Sequence, residues 1–259
     1  MEAISKEDLA IWADLADRLG TREFQAIYRA LHERRFRPEE TIVNQGDRND
    51  TLFFIAQGSV KVSHRVNGRE LFITTLNRGQ IAGDNFFSPS FWTVTLTSLT
   101  PARIHVLQQA ALDAFQEQLP ELRARLHAYF LSANTISAIL EKKKLERRYD
   151  QRFTVARTIR VHPVDNRNTP IGRGFRAETA DISQGGLAFL VSLSRRESAR
   201  LLLGRRMQTQ LPVGGKERFL TLKGTVIGVH PFHVLGKVFS VHLKFDHPLD
   251  QQGLHTILG

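Results

Sequence analysis

The sequence predicts a mainly-β protein with helices: an N-terminal jelly roll or barrel with flanking helices, a long connecting helix, and a C-terminal six-stranded barrel. Three observations predict it. Short alternating segments divided by turn residues fill 36–108, apolar residues at heptad spacing run from 119 to 140, and a second series of strand-like segments fills 153–245. At 259 residues the chain is long enough for two separate cores, and the boundaries fall at 1–118, 119–145 and 146–259.

Residues 6–20 and 22–33 read as helices, because Leu9, Trp12, Ala16 and Leu19 recur at helical spacing and Gly20 is a suitable stop. Strands follow at 41–43, 51–56, 59–66, 70–76, 93–100 and 102–107. Turn residues separate them, and Asn67-Gly68 is the strongest hairpin signal in the chain. Residues 109–118 read as a short helix, and Pro120 suits the first turn of a longer one. Leu119, Leu122, Leu126, Tyr129, Ala133, Ile136 and Leu140 then step by three and four, an a/d seam. The expected use of helix 119–143 is a homodimer; the alternative is a seam packed on its own barrel. Further strands are expected at 153–161, 175–182, 186–192, 206–213, 218–229 and 237–245, with a helical turn within 195–203 and a terminal helix at 248–258. Six short strands and a small helix suit a closed barrel.

Charge divides the chain unevenly. Residues 1–118 hold 13 Lys/Arg against 15 Asp/Glu, whereas 119–259 hold 23 against 11, so the net +10 belongs to the C-terminal part. An anionic ligand or partner is expected there. Much of the surplus clusters at 142–160, with neither a helix-turn-helix nor a finger pattern, so DNA is not the expected partner. The absence of cysteine excludes disulfides, thiolate metal sites and cysteine nucleophiles. No apolar run approaches bilayer length and the N-terminus is acidic and amphipathic, so the expected location is cytoplasmic, without a membrane partner. His230-Pro231-Phe232-His233 holds two potential ligands without an evident acid partner, so no metal is expected. No Ser/His/Asp set is recognisable, and the chain is not expected to be an enzyme.

Two short stretches carry the functional signal. Arg147, Arg148 and Arg152 supply planar, permanently charged forks suited to phosphate oxygens and purine edges. Asp181 accepts from ring N–H and amino groups, Ser183 adds a small hydrogen-bonding group, and Gly185 and Gly186 let backbone approach a ligand. The pattern Arg148-x-x-x-Arg152 followed by Asp181-x-Ser183-x-x-Gly186 resembles the PilZ family, bacterial receptors for cyclic di-GMP, over roughly residues 146–259. The resemblance implies a six-stranded barrel that takes cyclic di-GMP as ligand, with no cofactor, and signals to a downstream protein. In that family an arginine directly before the motif, here Arg147, accompanies binding of two stacked ligands.

The N-terminal half resembles the cyclic-nucleotide-binding domain of catabolite-activator-type regulators, through Gly46-Asp47, Leu52-Phe53-Phe54-Ile55-x-x-Gly58-x-Val60, Gly79 and Gly83-Asp84. It implies a jelly roll. Asp84 stands where the family has the ribose-binding glutamate and Trp92 where it has the phosphate-binding arginine; no Lys or Arg occurs between Arg78 and Arg103. A buried phosphate without a cation is costly, so this domain is expected to be degenerate. Phe86, Phe87, Phe91 and Trp92 either stack on a base or fill the space a ligand would occupy. The expected function is a cyclic di-GMP receptor and effector that changes domain orientation. The alternatives are a ligand-independent adaptor and a dual sensor that also binds a cyclic mononucleotide.

Overall fold

A computed structural model of the chain describes residues 9–66, 68–133, 135–136, 150–193, 197–214, 218–232 and 237–258. These divide into two units, one drawn from 9–87 and 91–136, the other from 88–90 and 150–258.

The first unit opens with α1 (Leu9–Arg18) and α2 (Thr21–Ala30), followed by β1 (His32–Phe36), β2 (Thr41–Val43), β3 (Thr51–Gln57) and β4 (Val60–Val66). It continues through β5 (Arg69–Leu76), β6 (Ile81–Ala82), β7 (Thr95–Ser98), β8 (Ala102–Gln108), α3 (Gln109–Ala114) and α4 (Leu122–Ser132). The strands form two four-stranded sheets, β1-β8-β3-β6 and β2-β7-β4-β5. The unbroken apolar run in β3 follows from burial on both faces. Phe53 and Ile55 join the core between the sheets with Val60, Leu96 and Ile104, while Leu52 and Phe54 join a second core with Trp12, Leu15 and Ile27 of the helices.

Three expectations change here. Residues 32 and 33 are strand rather than helix: β1 pairs with β8 from His32↔Val106 to Phe36↔Ala102, and sheet pairing overrides the local helical spacing. A strand not expected from the sequence, β6, is added, since two residues are too short to show a period. The third concerns the connecting helix over 119–145, which is not continuous. α4 ends at Ser132, Ala133 is extended (φ −83°, ψ 167°), and Thr135 forms a parallel bridge with Ile81. The seam residues Leu122, Leu126 and Tyr129 lie in the core with Trp12 and Leu15, and Ile136 lies in the core between the sheets. Their own domain therefore buries these four members of the heptad stripe. The remainder, 137–145, and Asn67 of the expected hairpin turn lie outside the described residues.

The second unit holds β9 (Phe153–Thr154), β10 (Thr158–Pro163), β11 (Phe175–Ile182), β12 (Gly186–Ser192), α5 (Glu197–Leu202), β13 (Arg206–Pro212), β14 (Phe219–Pro231), β15 (Val238–Phe245) and α6 (Gln251–Leu258). Six strands run in the order β10-β13-β14-β15-β12-β11, and β10–β11 pairing closes the barrel. Inward residues such as Ile159, Phe189, Leu211, Val226 and Val241 form its core. The single strand expected over 153–161 is two, β9 and β10, separated by 155–157. Thr154 pairs with Asp181 but Thr158 pairs with Glu178, so four residues must span what β11 covers in three. The regular pairing is interrupted at that one-residue mismatch.

Candidate functional site

The end of β11 sets the direction of Asp181. Ala177 and Thr179 point into the barrel, and strict alternation would send Asp181 inward after them. Instead β11 carries a bulge: Thr179 opposes Phe189 and Asp181 opposes the next residue of β12, Ala188, leaving Ala180 as the extra residue. The phase shifts by one. Ile182 takes the inward place, fully buried, and Asp181 turns outward with its side chain 29% exposed.

Arg152 meets it there. Its Nη1 donates to Asp181 Oδ1 at 2.9 Å and Oδ2 at 3.2 Å, with the arginine side chain 35% exposed. Residues 29 apart in the chain, from opposite halves of the motif pair, form one charge-assisted contact. The pairing of β9 with β11 (Thr154↔Asp181, Phe153↔Ile182) brings Arg152 to this edge. Arg147 and Arg148 lie outside the described residues.

Ser183 and Gly186 close the turn between β11 and β12. The Ser183 N–H donates to the Gly186 carbonyl at 2.8 Å, and the Ser183 hydroxyl lies 3.5 Å from the same oxygen. Ser183 is buried, so its side chain serves this turn. Phe245 N–H donates to Gly185 O and Leu249 N–H to Gln184 O, which ties the turn to the end of β15 and the chain beyond it. Both glycines answer close approaches within the barrel. A Cβ on Gly186 would stand 2.6 Å from the Leu243 carbonyl oxygen, and one on Gly185 would stand 2.6 Å from Asp150 Oδ2.

The structure gives Asp150, Arg157 and Thr179 roles that their place in the sequence does not indicate. Asp150 occupies a position that the pattern Arg148-x-x-x-Arg152 leaves unspecified. Arg157 was counted in the basic cluster, yet its Nη1 donates to the Pro212 carbonyl at 2.9 Å, so it braces the barrel. Thr179 is 2% exposed and bonded to backbone on both sides; one more small residue in a strand carries no signal in the sequence.

In the first unit the aromatic residues near Gly83-Asp84 are divided between the cores. Trp92 is 4% exposed, 5.7 Å from Phe53 between the sheets, and its backbone pairs with Gly46 and Asp47. Phe86 is fully buried in the helix-side core, and Phe87 packs edge-on against Phe130 at 5.9 Å. Of the two uses left open for these rings, Phe86 and Trp92 take the space-filling one. Arg123 of α4 holds the loop by donating to the Phe87 carbonyl at 3.1 Å while pairing with Asp113. In the second unit, burial lowers the pKa of His230, whose ring stands 5.0 Å from His242. Among the described residues no three acidic or histidine side chains converge as a metal set. Nor is any described helix long and apolar enough to cross a membrane.

Comparison with known proteins divides the chain at the same place. Residues 33–118 match the model of the cyclic nucleotide-binding domain and residues 146–258 that of the PilZ domain. Over 54 residues the chain is 44% identical to the cAMP-activated global transcriptional regulator Vfr of Pseudomonas aeruginosa, a stretch amounting to 20% of this chain and 25% of that regulator. The N-terminal domain of a transcriptional regulator from Streptomyces coelicolor A3(2) is 20% identical over 52% of this chain and 95% of its own, with a TM-score of 0.41. The catabolite activator protein of Thermus thermophilus is 18% identical over 51% of this chain and 60% of its own, also with a TM-score of 0.41.

Proposed function

The chain carries a cyclic nucleotide-binding domain over residues 33–118 and a PilZ domain over residues 146–258, and from that premise we propose that it is a cyclic di-GMP receptor and effector. Both are binding and regulatory domains. One observation carries the reading: Arg152 and Asp181, from the two halves of the motif pair, stand in contact on the outside of the barrel. Arg148 and Arg152 clamp phosphate and guanine edges, Asp181 accepts from a guanine edge, and Ser183, Gly185 and Gly186 shape the adjoining turn. Without ligand, Arg152 and Asp181 neutralise one another. Binding exchanges that pair for ligand contacts on both sides. Each cyclic di-GMP brings two negative charges, and Arg147 adds the cation that a stacked pair of ligands requires.

The N-terminal domain acts as a scaffold. It lacks a cation between Arg78 and Arg103, and Trp92 and Phe86 belong to its cores. Ligand capture a few residues beyond 119–145 reorients the barrel and signals to a downstream protein, which scattering profiles with and without ligand would register. Self-association uses the outer face of α4, where Leu131 is 73% exposed, rather than the seam within the core.

Calorimetry on the full chain tests the central claim. We expect about two cyclic di-GMP per chain, and Arg148→Ala, Arg152→Ala and Asp181→Ala should each weaken binding at least about tenfold, as loss of a charge-assisted contact does. No binding at micromolar ligand would overturn it.

A further inference from the structure

We propose that Thr179, a buried residue outside both motifs, is the positioning residue that holds Arg152 against Asp181, by clamping the segment that follows Arg152. The inference rests on the cyclic di-GMP reading, since it states what builds that site. Arg152 precedes β9, which pairs with β11 through only Phe153 and Thr154. Two ladder residues are too few to fix a chain segment. Immediately afterwards, 155–157 fall out of regular pairing, which resumes at Thr158↔Glu178.

Thr179 closes that gap. Its hydroxyl accepts from the Arg157 N–H at 2.9 Å and donates to the Val155 carbonyl, so one oxygen bridges both ends of the gap. The Thr179 N–H donates to the Arg157 carbonyl at 2.9 Å, and the Val155 N–H to the Ala180 carbonyl at 3.2 Å. A hydroxyl alone among side chains of this size both donates and accepts; valine has the same shape and does neither. Thr179 is 2% exposed inside the barrel, so it does not touch a ligand held outside. It also sits where β11 changes register against β12, beside the point where its register against the incoming segment changes. Without the clamp, the segment between β9 and β10 keeps only the backbone bonds at Val155 and Arg157, and no side chain ties its two ends together. A slip of one residue turns Arg152 to the other face, away from Asp181.

Calorimetry with cyclic di-GMP on the full chain reads the effect. Thr179→Val should bind about tenfold more weakly, while Thr179→Ser, which keeps the hydroxyl, should stay within about twofold of the parent. In an Arg152→Ala background, Thr179→Val should change affinity by less than about twofold, because its route to the ligand is already gone. The same factor in both backgrounds, or no loss in Thr179→Val, overturns the proposal. Amide exchange separates this from the function itself. Without ligand, the Val155 and Arg157 amides should exchange faster in Thr179→Val than in the parent, and unchanged exchange overturns the clamp even if the parent binds no cyclic di-GMP. If Thr179→Val does not fold, the parent decides: Val155 and Arg157 amides exchanging as freely as unstructured chain overturn it.

Discussion

Asp181 faces outward because Ala180 is an extra residue in β11. Without the bulge its carboxylate would enter a core containing Phe189 and Leu187, at a cost no neighbour there offsets. The adjoining glycines are as tightly specified. Gly186 pairs with Lys244, and a Cβ there would strike the Leu243 carbonyl, a backbone atom that cannot swing aside. Gly186→Ala should destabilise the PilZ unit by about 1–3 kcal/mol, the usual cost of forcing extra atoms into a packed site. Denaturant unfolding would measure it, and an unchanged midpoint would return Gly186 to a purely ligand-facing role. At Gly185 the opposing atom is the end of the Asp150 side chain, which can move.

At the scale of elements, α4 shows why spacing alone does not name a partner. Leu122, Leu126 and Tyr129 fit a stripe against a twin helix or against the helix's own domain, since both demand steps of three and four. They pack with Trp12 and Leu15, and the helix stops before Ala133. Leu126→Ala should therefore cost about 2–5 kcal/mol of stability, as buried leucine truncations do, without altering oligomeric state. Leu131→Glu should change stability by no more than about 0.5 kcal/mol and reduce self-association. Sedimentation and unfolding together decide the matter. A Leu126→Ala chain that dissociates at full stability would restore the intermolecular seam. The barrel's strands carry a parallel lesson: 175–182 and 186–192 were legible to the residue, whereas 153–161 was not one strand but two.

For the whole molecule, two units with separate cores should respond separately to ligand. Cyclic di-GMP at a hundredfold excess over its Kd should stabilise the PilZ unit by at least about 2.7 kcal/mol, the mass-action value for one bound ligand, and leave the jelly-roll transition in place. Cyclic AMP and cyclic GMP should move neither transition. A shift of the jelly-roll transition with cyclic AMP would reinstate a dual sensor. The sequence by itself determined the two β-domains, most strand positions and the basic C-terminal half, because alternation, turn residues and charge are local properties; its motif pair marked Arg152 and Asp181 without showing that they touch. Tertiary structure alone decided the strand at His32–Phe36, the break after Ser132, the burial of Trp92 and Phe86, and the outward turn of Asp181 against Arg152. Each depends on register between segments far apart in the chain. A bulge of one residue reverses which face a side chain meets, and no local pattern records where that bulge falls.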